Sequence, residues 1–125
     1  MSHRFQSIVR GAALGLALAG LAGAAAAHPD IVAASPSPGA AVSARPTELR
    51  LSFSEPLFVN FSGVVVTDGR GKRVSTGRPK LAPGDAKVLV VPLKAPLAPG
   101  TYTVQWHAVS ADTHRITGSY RFTVN

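Results

Sequence analysis

The sequence predicts an all-β domain, a seven-stranded Greek-key β-sandwich with a small barrel as the alternative closure, lying behind a leader that export removes. Three observations lead there. After Ala27 no stretch shows a sustained helical period with caps at its ends. Short apolar or alternating runs recur instead, separated by the turn dipeptides Pro38-Gly39, Asp68-Gly69, Pro83-Gly84 and Pro99-Gly100. With about seven such runs in roughly 100 residues, alternating faces must bury one another across two layers or around a closed barrel.

The leader comes first. Residues 1–27 carry Arg4 and Arg10 and no acidic residue, and residues 11–27 are uncharged and end in Ala25-Ala26-Ala27. A basic start, an apolar middle and small residues before the cut are the layout of a secretory signal peptide. The uncharged run is 17 residues of mostly weakly apolar side chains, whereas spanning a bilayer takes about 20 strongly apolar ones. Cleavage after Ala27 is therefore expected, leaving residues 28–125 as a single domain that begins at His28.

The expected strands are residues 31–34, 49–54, 63–68, 72–75, 87–93, 101–109 and 119–124. In the sixth, Tyr102, Val104, Trp106 and Ala108 alternate with Thr103, Gln105, His107 and Val109, so one apolar face turns inward. Tyr120, Phe122 and Val124 repeat the pattern in the last strand. Residues 35–43, rich in Pro, Ser, Gly and Ala, are expected to form an ordered loop. The chain has no cysteine, so stability must come from an apolar core rather than from disulfides, in an immunoglobulin-like arrangement.

The whole chain has 13 Lys+Arg against 6 Asp+Glu, and loss of Arg4 and Arg10 leaves 11 cations in the mature part. Five of them, Arg70, Lys72, Arg73, Arg78 and Lys80, lie in one stretch. That stretch reads either as a surface steering a polyanion or as a solvated sheet edge. Trp106 falls on the inward face and reads as core. The sequence contains no cysteine nucleophile, no Gly-x-Ser-x-Gly elbow, no phosphate-binding glycine loop and no His-Glu-x-x-His pair, so hydrolytic chemistry has little support.

The chemistry that the residues do support is metal binding. Once the leader is cut, His28 offers its α-amine and its imidazole, two nitrogens able to close a chelate ring. Their ordinary pKa values, about 7.7–8.0 and 6.5, let a metal displace protons readily near neutral pH. Pro29 has no N–H to lose, which rules out a square-planar site built from the following amides. The remaining ligands must come from elsewhere. Ser110-Ala111-Asp112-Thr113-His114, between the last two expected strands, offers an Asp and a His two residues apart that can face one side of the chain. Three nitrogens and one oxygen in tetragonal geometry favour Cu(II) over Zn(II), Ni(II) or Co(II). Glu55, in Phe53-Ser54-Glu55-Pro56-Leu57, is a candidate acceptor that orients a ligating imidazole or the amine.

Each of these residues also has an ordinary reading. Asp-x-His in a hairpin loop is common turn chemistry, with the Asp accepting local N–H groups and the His exposed. Glu55 could be a solvated strand-end acid. His107, on the outward face beside Gln105 and Thr103, reads as a surface residue, and His3 leaves with the leader.

Taken together, His28, Ala34-Ser35-Pro36 with Gly39-Ala40, Phe53-Ser54-Glu55-Pro56, Leu97-Ala98-Pro99-Gly100-Thr101-Tyr102-Thr103-Val104 and Val109-Ser110-Ala111-Asp112-Thr113-His114 with Gly118 resemble the CopC-type copper resistance proteins of the bacterial periplasm. The resemblance covers essentially the whole mature chain. It implies a periplasmic, non-enzymatic copper-binding domain holding one Cu(II) per chain through His28, Asp112 and His114, with Glu55 at the family's nearby acid. It also implies a possible inner-membrane partner, a copper transporter of the CopD type, to which some relatives are fused. This chain stops after its last strand and resembles the free-standing, soluble version, with no nucleic-acid partner.

Two departures stand out. Relatives with a Cu(I) site use a methionine-rich stretch, whereas the only methionine here is Met1, so thioether ligation and a Cu(I) site are not expected. Thr113 stands where the family often has glycine; if that position needs a positive φ, the loop is strained or differently shaped. Two other functions stay open from sequence: a histidine-brace copper oxidase or monooxygenase, and a structural sandwich domain without metal.

Overall fold

The computed structural model describes residues 30–125 of the chain. The leader, its cleavage point and His28 lie outside the described residues. What is described is all-β apart from a single 3-10 turn, Val59–Phe61.

Nine strands form: β1 Ile31–Ser35, β2 Ala41–Val42, β3 Glu48–Phe53, β4 Gly63–Thr67, β5 Arg73–Val74, β6 Lys80–Ala82, β7 Asp85–Pro92, β8 Gly100–Val109 and β9 Arg115–Val124. They make two separate sheets, ordered β1-β3-β7-β6 and β2-β9-β8-β4-β5. The closure is thus a sandwich, and the barrel alternative falls away. Every pairing is antiparallel except β2 with β9.

Alternation determines which side chains meet between the layers. Leu49, Leu51 and Phe53 on β3, with Leu89 and Val91 on β7, face Val66 on β4, Tyr102, Val104, Trp106 and Ala108 on β8, and Tyr120, Phe122 and Val124 on β9. All are buried. Phe53 meets Trp106 edge-to-face across the sandwich with ring centroids 5.2 Å apart, and Tyr102 stacks on its cross-strand partner Phe122 at 5.6 Å. Such pairs add about 0.5–1.5 kcal/mol each beyond the area they bury. The Tyr102 hydroxyl donates to Ala98 O at 2.6 Å, tying the approach to β8 back onto the strand much as the tyrosine corner of immunoglobulin-like sandwiches does.

The sequence pattern predicts seven strands, and the two extra ones, β2 and β6, have only two and three residues. β2 forms inside the stretch expected to be a loop. Gly39 N–H donates to Arg121 O (2.7 Å), Thr123 N–H to Ala40 O (2.8 Å) and Asn125 N–H to Val42 O (2.9 Å), and with only two residues the strand shows no alternation that could announce it. β6 is only three residues long and folds back on β7. The cationic stretch lands on β5 and β6, the outer strands of the two sheets, where Arg73 and Lys80 are exposed. The solvated-edge reading fits that placement.

The last strand begins at Arg115, four residues earlier than the pattern suggests. Gly118 interrupts the apolar alternation there, and packing explains it. Gly118 lies opposite Trp106, and a Cβ at this position would stand 2.7 Å from Trp106 Cε2. Only glycine lets the ring settle against the strand.

β8 and β9 pair over ten rungs, from Gly100–Val124 to Val109–Arg115. The turn between them is held by Thr113 N–H donating to Ser110 O (2.8 Å) and Ser110 N–H donating to His114 O (3.0 Å). Thr113 adopts φ 71°, the one non-glycine residue with positive φ among the described residues. The position thus does need the left-handed region, and a β-branched side chain there is strained.

Two stability changes are expected of the metal-free protein. Gly118→Ala should destabilise by about 1–3 kcal/mol through overpacking against the indole, read by urea unfolding and by altered tryptophan fluorescence. Thr113→Gly should stabilise by up to about 1 kcal/mol, strain relief outweighing the added backbone entropy of the unfolded chain; an unchanged or lower unfolding midpoint would contradict the strain.

Candidate metal centre

The end of β8 is braced from outside its own sheet. After β3 the chain runs along it: Leu57 bridges Ser110, Phe58 N–H donates to Val109 O (2.8 Å) and Ala111 N–H donates to Pro56 O (3.0 Å). Ser62, just past the 3-10 turn, donates its hydroxyl to Phe58 O (2.8 Å) and accepts Val109 N–H (3.0 Å). The backbone on which Ser110 to His114 stand is therefore fixed before the loop begins.

Within the loop, two sequence-predicted ligands come together. His114 Nδ1 lies 3.0 Å from Asp112 Oδ2, with the His114 side chain 51% exposed and that of Asp112 44% exposed. The other carboxylate oxygen is already engaged. Asp112 Oδ1 accepts the Ser110 hydroxyl and, at 3.3 Å, the His114 backbone N–H. These contacts hold the Asp112 pKa down to about 2; the Ser110 hydroxyl contributes most, then the His114 ring and backbone N–H groups, against a small opposing effect of burial. The carboxylate is thus charged at neutral and mildly acidic pH.

The contact is a ring-to-carboxylate hydrogen bond, and its length is also close to the spacing of two ligands on one metal ion. Two donors at right angles, each about 2.0–2.1 Å from a small divalent ion, sit about 2.9 Å apart. The Oδ2–Nδ1 separation is 3.0 Å and open to solvent. One oxygen and one imidazole nitrogen are thus placed side by side, two of the four donors that the sequence reading expects.

His28, expected to supply the other two, lies outside the described residues. Glu55 sits half-buried in the turn after β3. Among the described residues no three His, Cys, Asp or Glu side chains converge as a metal cluster. His107 is less of a surface residue than its alternation suggests. Its ring packs where β4 passes, so that a Cβ on Gly63 would stand 3.2 Å from its Cε1, with Pro79 alongside. Burial first, then the Arg115 charge, lower its pKa.

Ser110 and Ser62 were not among the sequence-predicted site residues, yet both anchor this loop. One signal was available for the first: position 110 has the same parity as the inward residues Tyr102, Val104, Trp106 and Ala108. A serine in phase with a buried face needs an internal partner. Nothing comparable marks Ser62.

Comparison with known proteins agrees with this architecture. The CopC domain matches residues 31–125. Copper resistance protein C of Escherichia coli is 46% identical over 111 residues, covering 84% of this chain and 87% of the relative. The crystal structure of CopC from Methylosinus trichosporium OB3b superimposes with a TM-score of 0.73 at 33% identity, covering 78% of this chain and 94% of that one. PcoC, described as a methionine-rich copper resistance protein from Escherichia coli, superimposes with a TM-score of 0.71 at 39% identity, covering 79% and 100%. With one domain matched from the first strand to the last residue, and with relatives this similar over most of their length, the chain belongs to the CopC family.

Proposed function

We propose that this protein is a periplasmic, non-enzymatic carrier that holds one Cu(II) ion through the amine and imidazole of His28, the Asp112 carboxylate and the His114 imidazole, and that it sequesters copper or passes it to a CopD-type transporter in the inner membrane. The observation that carries the reading is the exposed Asp112–His114 pair, already spaced as two adjacent ligands on a braced loop. Copper is cargo here, so half-exposed donors suit the task, since an ion that must be handed on cannot be sealed in.

The donor set decides which ion is held. An ionised carboxylate and imidazole nitrogen select Cu(II), and a mature chain without methionine offers no thioether for Cu(I). Glu55, half-buried in the turn after β3 and next to Pro56, whose carbonyl accepts Ala111 N–H, would act as an acceptor that orients a ligating imidazole or the amine rather than as a ligand. The monooxygenase reading gains nothing from the surface near the loop. Phe58 and Phe61 are exposed there, but their rings meet at 89° and present no flat platform for a polymer.

Three outcomes test the proposal. Titration of the mature protein with Cu(II) should give one equivalent of a d–d band. His114→Ala or Asp112→Ala should weaken binding by more than the roughly 10–100-fold that loss of a ligand-orienting group costs; one additional residue left ahead of His28 should do the same. Retention of full affinity in all three would refute the ligand set. Across pH 8 to 5 the affinity should fall steadily as the nitrogens protonate, most steeply below about pH 6. Asp112, with its pKa near 2, contributes no step in that range. Stability gained by adding copper should be present above that pH and vanish below it.

A further inference from the structure

The described residues bury two polar side chains, Ser62 and Ser110, and both stand at the base of the same loop. Ser110 is 1% exposed, so no water competes for its hydroxyl. Its N–H donates to His114 O and its carbonyl accepts Thr113 N–H, which fixes the backbone that carries the side chain; besides Asp112 the hydroxyl has His114 O within reach, at 3.5 Å. The hydroxyl is aimed at Asp112 Oδ1, an oxygen that also takes the His114 N–H at 3.3 Å. A surface carboxylate with both oxygens free rotates and can bind a metal through either oxygen or both. This one cannot.

We propose that Ser110 is a positioning residue for copper binding: its buried hydroxyl occupies Asp112 Oδ1 and so presents Oδ2 alone, on the His114 side, to the incoming ion. The inference rests on the ligand set proposed above. Ser62 supports it at one remove by fixing Val109 N–H. The energetic logic is preorganisation. The turn orders the carboxylate during folding, so that copper binding does not bear the cost of fixing it. Asp112 becomes a one-oxygen donor, its Oδ2 already turned toward the His114 ring before metal arrives. A serine that merely sealed the turn would matter to folding, and its loss would cost the same whether or not Asp112 were present.

That difference defines the experiment. Cu(II) affinity is measured by competition titration on the mature protein and on Ser110→Ala, Asp112→Ala and the double variant, each first confirmed as folded by its metal-free melting curve. Ser110→Ala is expected to bind about 10-fold more weakly and to show altered parallel g and hyperfine values in the EPR spectrum. In the Asp112→Ala background it is expected to add no further loss. Full affinity and an unchanged spectrum in Ser110→Ala, with Asp112→Ala impaired, would overturn the inference and leave the ligand set standing. An equal loss in both backgrounds would also overturn it. Unimpaired binding by Asp112→Ala would remove the ligand set and the inference together. Should Ser110→Ala not fold, NMR of the metal-free wild-type chain decides: a slowly exchanging Ser110 hydroxyl proton that is lost in Asp112→Ala supports the role, and one unaffected by that substitution overturns it.

Discussion

The Trp106 ring occupies the space that any side chain at position 118 would need, and much of the molecule depends on that fit. It holds β8 and β9 in one register. A slip by one residue would set Thr117 or Ser119 opposite the indole and turn the inward residues of β9 to solvent. Register then determines where the ladder ends. With Val109 and Arg115 as the last rung, residues 110–114 have to reverse the chain by themselves. The same pairing that buries Tyr120, Phe122 and Val124 thereby places Asp112 and His114 side by side beyond the end of the sheet.

The loop obtained this way is tight enough to force Thr113 into a backbone region that its β-branched side chain disfavours. Hydrogen bonds on every side hold it there. The Ser110 N–H and carbonyl close the turn, the Thr113 hydroxyl donates to Asp112 O at 2.5 Å, and the strip from Pro56 to Phe58 grips the end of β8. Rigidity at the base coexists with exposure at the tip, where both donor side chains are about half open to water. The copper-carrying role proposed above would call for both, fixed geometry to choose the ion and an open side to surrender it.

Much of this was legible from residues alone, for identifiable reasons. Alternation in β8 places Tyr102, Val104, Trp106 and Ala108 inside because a strand with one wet face has no other way to bury them. The Asp112–His114 pairing could be read from spacing, whereas a positive φ at Thr113 could be posed only as a condition, from the glycine frequent there in the resembled family. The start of β9 was hidden by Gly118, which looks like a strand breaker until the indole across from it is known. β2 was hidden because two residues are too few to show an alternation. His107 keeps the outward parity its sequence gives it, but its burial comes from Gly63 and Pro79, far away along the chain. Ser110 carries a signal in its parity and Ser62 carries none, since a serine beside a turn is among the most ordinary of residues.

The strand lengths have a consequence for how copies of this chain behave toward one another. β2 and β5, the margins of one sheet, are two residues each, and β6, at a margin of the other, has three. β1, the fourth margin, is five residues long, but its register shifts between Ile31 and Ala33, at an exposed Val32. Among the described residues no margin offers a long, flat row of unpaired amides on which a neighbour's strand could continue the ladder. Fibre growth and end-to-end polymerisation, standing hazards for small sandwiches kept at high concentration, are thus discouraged by brevity and a bulge.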